Sequence, residues 1–430
     1  MRIAVITENF LPKVDGVTRT LSRLLEHLQA NGHQVLLLGP ESGMTEYAGA
    51  SLMGTAGIPL LFYPELKLNL WRPAFTQRLL EFEPDVVHLV DPVWLGVAGL
   101  AVCNRYLPQV PLVSSYHTNL ATYCQHFGFG IFTPLMWRWN RFCHSQCRYV
   151  VCPSRSTSRI LHNQGFENLR LWPRGVDIEL FTPARRSESL RRQWLGQSNE
   201  KSIILYVGRV SFEKNLGLVL DAYKRMDYSK CHLVIVGHGP ALEGIQSECG
   251  EKSIPVTFTG YLEGVDLATA YASADIFAFP SVTETFGQVV LESMASGLPV
   301  VGLWAEGVRD LVDHGRTGLL LDATGLSNRK QQIERYKELL GNLVDHPEKR
   351  AHMGKEAAEK AKKYTWWEAM ECMVRTYRDA VSGLDASLFK SDNGSIPLDL
   401  AGDSGVEEDF VREDDESSSV DDGRPLKAAF

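Results

Sequence analysis

The first forty residues place the strongest constraint on the fold. "RIAVIT" is a short apolar run that reads as a buried strand. Val17, Leu21, Leu24, Leu25 and Leu28 then recur at helical spacing, and "HQVLLLG" reads as the next strand. Strand, amphipathic helix and strand make a βαβ unit, whose two strands run parallel. A parallel sheet must have helices on both faces, so this opening predicts a doubly wound α/β domain. "DVVHLV" and "PLVSSYH" continue the pattern.

The rhythm stops at "RLWPRGVDIELFTP", residues 170 to 183, where prolines and glycine mark a junction. Beyond it the alternation restarts: "SIILYVGRV", "HLVIVG", "PVTFTG", "DIFAFP" and "PVVGL" read as strands, with "LGLVLDAYKRM" and the segment after Glu284 as helices. A chain of 430 residues exceeds what one core usually supports, and two Rossmann-like domains with a cleft between them account for it. The predicted division is 1–175, 176–365, a closing helix at 366–384 that packs back on the first domain, and a tail at 385–430.

Composition separates that tail from the body. Residues 391 to 430 hold twelve Asp or Glu against three Lys or Arg, a net of -9, which leaves the body near +1 of the chain's formal -8. So acidic and apolar-poor a segment is predicted to be disordered, and a body so close to neutral does not suit nucleic acid as a partner. The eight cysteines lack the density of a disulfide scaffold and read as reduced. Cys143, His144, Cys147 and Cys152 lack the matching second pair of a zinc site, so buried structural thiols are expected there and no metal cofactor. The start "MRIAVITENF" carries no secretory leader, and no apolar run reaches eighteen residues. Both features point to the cytoplasm, with the cytoplasmic face of a membrane left open.

Ligands of doubly wound sheets sit beyond the carboxyl ends of the strands. Four groups fall there. Gly16 precedes the first helix, where its amide can meet an anion; the ordinary alternative is a helix-start turn. Arg209 and Lys214 in "GRVSFEKN" make a cationic pair suited to a leaving diphosphate, or else a solvated basic loop. His117 is either a hydrogen-bonding partner for a sugar or a satisfied core histidine. Glu284 could close a capping box from Ser281, but that would not explain Glu292 eight residues on. An elongated ligand laid along the helix explains both: one carboxylate accepts sugar hydroxyls, the other ribose hydroxyls, while amides around Phe286, Gly287 and Gln288 face a diphosphate.

"FPSVTETFGQVVLESMASGLPVV" resembles the Glu-x7-Glu signature of the family 4 glycosyltransferases, and "PKVDGV", "SSYHT", "YVGRVSFEKN" and "YASADIFAFPS" resemble other motifs of that family, over roughly residues 1 to 325. The resemblance implies a GT-B fold and a retaining, metal-independent hexosyltransferase. Its donor is a nucleotide-diphosphate sugar and its acceptor a lipid or glycan. By it, Glu284 and His117 lie at the transferred sugar, Glu292 at the ribose, Arg209 and Lys214 at the diphosphate and Gly16 near the phosphates, with Thr285, Phe286, Gly287 and Gln288 lining the donor. The chain departs from many members in having Asp15 where they have a second glycine. Within the family, "RLLEFEPDVVHLVDP", "SSYHTNLATYCQHF" and "LRLWPRGVD" are most similar to sulfolipid synthases and "YPELKL" to glycolipid mannosyltransferases, so a UDP-sugar and GDP-mannose both stand as donors. A non-hydrolysing sugar-nucleotide epimerase and a non-catalytic sugar-nucleotide-binding subunit are the alternatives. "IFTPLMWRWNRFCHSQCRYV" mixes Trp, Phe and Leu with Arg138, Arg141 and Arg148, as an interfacial helix does and as a half-buried helix with a basic face also does.

Overall fold

The computed structural model describes residues 1–12, 16–60, 63–119, 130–196, 200–326 and 328–383, with the backbone alone for 59–60 and 63–67. The acidic tail, Asp15 and most of "NLATYCQHF" lie outside those residues, as do the side chains of "YPEL".

Ten strands belong to the first half: β1 Arg2–Thr7, β2 Gln34–Pro40, β3 Glu46–Tyr47, β4 Ala50–Thr55, β5 Gly57–Leu60, β6 Tyr63–Asn69, β7 Val86–Val90, β8 Leu112–Ser115, β9 Tyr149–Cys152 and β10 Leu169–Leu171. Eight form one sheet in the order β10-β9-β8-β7-β1-β2-β4-β3, and β5 with β6 makes a separate antiparallel hairpin. The predicted βαβ start is present: β1 and β2 are parallel, with Ile3 opposite Val35 and Val5 opposite Leu37. The continuous apolar runs follow from burial on both faces. Ile3 and Val5 join a core with Leu21, Leu24, Leu25 and Leu28 of the helix Gly16–Ala30. Ala4 and Ile6 face the opposite way, onto Phe75, Leu79 and Leu100.

The second half holds β11 Ser202–Val207, β12 Cys231–Val236, β13 Val256–Gly260, β14 Ile276–Phe279, β15 Val300–Leu303 and β16 Gly318–Leu321, all parallel in the order β13-β12-β11-β14-β15-β16. Its core is one large cluster from Val176 to Ala361.

The chain passes between the two lobes twice. Trp172 belongs to the first core and Val176 and Phe181 to the second. On return, Ala361 belongs to the second core, and Ala369, Met370, Met373, Val374 and Tyr377 to the first. The two passages touch, with the Val176 amide donating to the Tyr364 carbonyl at 2.9 Å. The last helix, Trp366–Ser382, thereby lies beside Gly16–Ala30 on the first sheet.

Candidate active site

In each sheet the strand order reverses once, between β1 and β7 in the first and between β11 and β14 in the second. Chains leaving the carboxyl ends of such neighbours diverge to opposite faces and open a crevice. At the second crevice Arg209 and Lys214 follow β11 and Glu284 follows β14. Lys214 Nζ donates to Glu284 Oε1, and both side chains are 18% exposed. Ser281 Oγ donates to the same oxygen at 3.2 Å. Arg209 is exposed, and its carbonyl accepts the Tyr206 hydroxyl at 2.9 Å.

The helix after Glu284 starts later than a capping box requires. It spans Gln288–Ala295, with Gly287 at its cap in the left-handed region, φ 95°. Only glycine adopts that backbone without strain. Ser281 caps nothing; its Oγ instead accepts the Thr283 amide at 3.4 Å and turns the loop. Gly307 leaves room for residues 284–286 in this non-helical path: a Cβ there would lie 2.8 Å from the Glu284 carbonyl oxygen and from the Phe286 nitrogen.

The two acidic residues are therefore not on one helix: Glu284 precedes it, and Glu292 alone sits on its second turn. Glu292 is 2% exposed. Its Oε1 accepts Arg19 Nη1 at 2.8 Å, from the first lobe, and its Oε2 accepts the Tyr271 hydroxyl at 3.4 Å. Burial pushes its carboxyl above the usual range, and the Arg19 charge opposes that push. Gly16 opens the helix that carries Arg19, one turn earlier.

Among the expected donor-lining residues, Phe286 turns its ring into the second core, edge-on to Tyr364, so it offers the cleft backbone alone. Thr285 Oγ1 donates to the His117 carbonyl at 2.9 Å, and Gln288 Nε2 to the Gly175 carbonyl at 3.0 Å. Both bonds tie the helix start to the first lobe and to the passage between lobes.

His117 lies at the crevice through its backbone, while its ring is 6% exposed with both nitrogens engaged. Arg174 donates to Nδ1, so the neutral ring carries its proton on Nε2 and donates to Ser115 Oγ at 2.8 Å. The Ser115 hydroxyl then donates to His88 Nε2 at 2.8 Å, and His88 Nδ1–H to the Tyr377 hydroxyl at 2.7 Å. The guanidinium thus sets the direction of a buried chain of bonds that runs from cleft to last helix. Burial holds both histidines neutral: His117 falls well below its usual range, with the Arg174 charge adding to the effect, and His88 is pushed down to about 3. Asp91 fixes the backbone at this point, accepting the His117 amide at 2.6 Å and the Thr118 hydroxyl at 2.9 Å. Burial pushes its carboxyl up to about 7.

A second seam between the lobes was invisible in the motifs. Ser156, at the start of the helix Arg155–Asn163, donates its amide at 3.2 Å and its hydroxyl to Asp310, while its Oγ accepts the Gly307 amide at 2.9 Å. Thr157 Oγ1 lies 2.6 Å from Glu306 Oε1 and 3.1 Å from the Thr285 carbonyl. "PSRSTS" carries the Ser-x-x-Thr of an N-cap, with Ser154 Oγ accepting the Thr157 amide at 3.2 Å, but nothing in that pattern says that the next hydroxyls meet another lobe.

The cysteine cluster has a structural explanation. Burial pushes the thiols of Cys147 and Cys152 up to about 12, and His144 Nδ1 pairs with Ser114 Oγ at 2.7 Å.

Comparison with known proteins decides the family. Residues 14–180 match the description Glycosyltransferase Family 4, and residues 188–360 match Glycosyl transferases group 1. The chain is 34% identical over 387 residues to a GDP-mannose-dependent alpha-mannosyltransferase of Corynebacterium glutamicum, covering 89% of this chain and 90% of that protein. The chain belongs to glycosyltransferase family 4. This glycosyltransferase is also 32% identical over 371 residues to the sulfoquinovosyl transferase SQD2 of Arabidopsis thaliana, covering 85% of this chain and 71% of that one. Solved structures share its fold. Sucrose-phosphate synthase of Thermosynechococcus elongatus superposes with a TM-score of 0.71 at 21% identity, over 89% of this chain and 99% of that one. Anabaena Alr3699/HepE in complex with UDP-glucose gives 0.69 at 19%, over 88% and 100%. The two doubly wound lobes are those of the GT-B fold.

Proposed function

We propose that this glycosyltransferase moves a hexose-type sugar from a nucleotide-diphosphate donor to a lipid or glycan acceptor with retention at the anomeric carbon. The observation that carries the proposal is the pairing of both acidic residues with cations around the second crevice, Lys214 with Glu284 and Arg19 with Glu292. A carboxylate charged and held in place accepts sugar hydroxyls, and a cation beside it receives phosphate oxygens. Relatives named for GDP-mannose and for sulfoquinovosyl transfer support a nucleotide-sugar donor, and relatives named alpha-monoglucosyldiacylglycerol synthase support a lipid acceptor.

The donor lies with its hexose at Glu284, its diphosphate at the start of the helix Gln288–Ala295, with Lys214 and Arg209 beside it, and its ribose at Glu292. The C1–O bond to phosphate breaks as the acceptor oxygen bonds to C1 on the same face, and the acceptor proton passes to a departing phosphate oxygen. Lys214 and Arg209 stabilise the charge that grows on the diphosphate, a term of the size that removes two to three orders of magnitude when lost, roughly 3 to 4 kcal/mol. His117 acts through its backbone and its fixed place, since its ring nitrogens are engaged. No metal is invoked, because these cations take the leaving group's charge.

The acceptor side has a surface of the right kind. The helix Thr133–Ser145 buries Asn140 and His144 and exposes Leu135 (64%) and Phe142 (54%), with Ile131 (86%) in the preceding turn and Arg138 exposed beside them. An apolar face turned outward among arginines suits a bilayer surface. None of the described helices is long and apolar enough to cross a membrane.

Incubation with GDP-mannose, UDP-glucose or UDP-sulfoquinovose and diacylglycerol vesicles, with product anomericity read by NMR, tests the proposal. One donor yielding an α-linked glycolipid is expected; an altered sugar nucleotide formed without acceptor would replace transfer by epimerisation.

A further inference from the structure

Glu292 is the deeper of the two acidic residues, and its cation comes from the opposite lobe. A carboxylate at 2% exposure stays charged at high cost unless a positive group is held against it. Arg19 provides that group at 2.8 Å, yet its own side chain is 42% exposed, so one end of the pair is locked and the other can leave. Arg19 stands on the first turn of the helix Gly16–Ala30, three residues from Gly16. Glu292 in turn stands four residues from the helix start at Gln288, about 6 Å along the axis. That distance is within the swing of an arginine side chain on a fixed backbone, and a guanidinium forks onto phosphate as well as onto carboxylate.

We propose that Arg19 is a stand-in for the donor: it occupies Glu292 while the cleft is empty, yields that carboxylate to the ribose hydroxyls, and closes on the diphosphate. The inference rests on the reading of Glu292 as the ribose acceptor. It gives the first lobe a charged hold on a nucleotide that the second lobe otherwise grips through Lys214, Arg209 and its two carboxylates. It also makes lobe closure depend on an ion pair in both states, first with protein and then with donor.

Calorimetric titration of wild type, Arg19→Ala and Arg19→Lys with UDP, GDP, uridine and guanosine tests it. For the diphosphate that wild type binds, Arg19→Ala is expected to lose about tenfold in affinity and Arg19→Lys a few-fold at most. For the corresponding nucleoside, which has no phosphate to receive the guanidinium, Arg19→Ala should bind at least as tightly as wild type, because no competitor holds Glu292. Equal losses on nucleoside and diphosphate would reduce Arg19 to a structural contact, and unchanged diphosphate affinity would remove it from the donor altogether; either overturns the proposal. The ribose reading is tested separately by wild-type titration with 2',3'-dideoxy UDP and GDP. No preference for the hydroxylated forms would sink the Glu292 assignment, while the phosphate contact would still be read from Arg19→Ala.

Discussion

The two edges of the cleft are built on different principles. On the first lobe the polar groups are buried and bonded in sequence, from a guanidinium through neutral links: Arg174, His117, Ser115, His88, Tyr377. On the other edge they are charged and paired, Lys214 with Glu284 within the second lobe and Arg19 of the first lobe with the buried Glu292, each pair keeping a partner within reach of water. Such a buried chain has one arrangement and loses stability if any link is cut. A charged pair at a water-exposed edge can trade its partner for a ligand of the same charge at little net cost. The first edge is a fixed rail, then, and the second a set of exchangeable contacts, which is what a site that must bind and release an anion requires.

That contrast fails or sharpens under mutation. The largest effect is expected on the second edge: Glu284→Ala and Lys214→Ala should each lower kcat by about two to three orders of magnitude with the melting temperature nearly unchanged. A melting drop of the size seen for core variants would mean that this pair is structural as well. On the first edge the balance inverts. His88→Ala removes a fully buried ring bonded at both nitrogens and should cost about 3 kcal/mol in denaturant unfolding, whereas Tyr377→Phe, which deletes one hydroxyl, should cost about 1 kcal/mol and leave turnover close to wild type. Gly287→Val forces a β-branched residue into a left-handed cap, with about 1 to 3 kcal/mol lost and donor affinity lost with it.

The remaining effects lie in pH dependence and carry opposite signs. His144 is held neutral, pushed down to about 3, so only the unfolded chain takes up its proton as pH falls below its usual 6.5. Its contribution is complete above 6.5 and lost on acidification, by about 1.4 kcal/mol per pH unit. Asp91, pushed up to about 7, holds its proton in the folded state, so its contribution is present in acid and lost as pH rises from its usual 3.8 toward 7. Unfolding free energies at pH 5.5 and 7.5 should show His144→Phe flattening the acid loss and Asp91→Asn steepening it. The reverse order would mean that the buried groups titrate with other partners.

How much of this could be read from residues alone follows from how local each feature is. β1, β2, β11, β12, β14 and β15 lie in sheet interiors and announce themselves as apolar runs, and β7 and β8 do so with His88 and a serine pair among their apolar residues. Of the outlying elements, the edge strand β13 does so through "PVTFTG", but β5 and β6 carry Pro59 and Pro64, β10 is three residues long, and β3 is two. Glu284, Lys214 and Glu292 stood out because a motif places them at strand ends and on a helix face. Their partners did not, since Arg19 and Glu292 are 273 residues apart and nothing near either one encodes the meeting. The capping-box reading of Ser281 missed for a related reason: the competing turn needs the room left by Gly307, from a different loop. The contact of Arg174 with His117, likewise, is visible only once the passage between lobes is laid against the end of β8.

The last helix, Trp366–Ser382, supplies Met370, Met373, Val374 and Tyr377 to the core of the lobe that begins with residue 1. A ribosome must therefore release nearly the whole polypeptide before its earliest-made portion can be sealed. Until then one face of the opening sheet stays only partly covered, and the later lobe, whose parts arrive in unbroken succession, is free to finish first. Nascent chains stalled before residue 366 should accordingly protect β11–β16 from protease better than β1–β8.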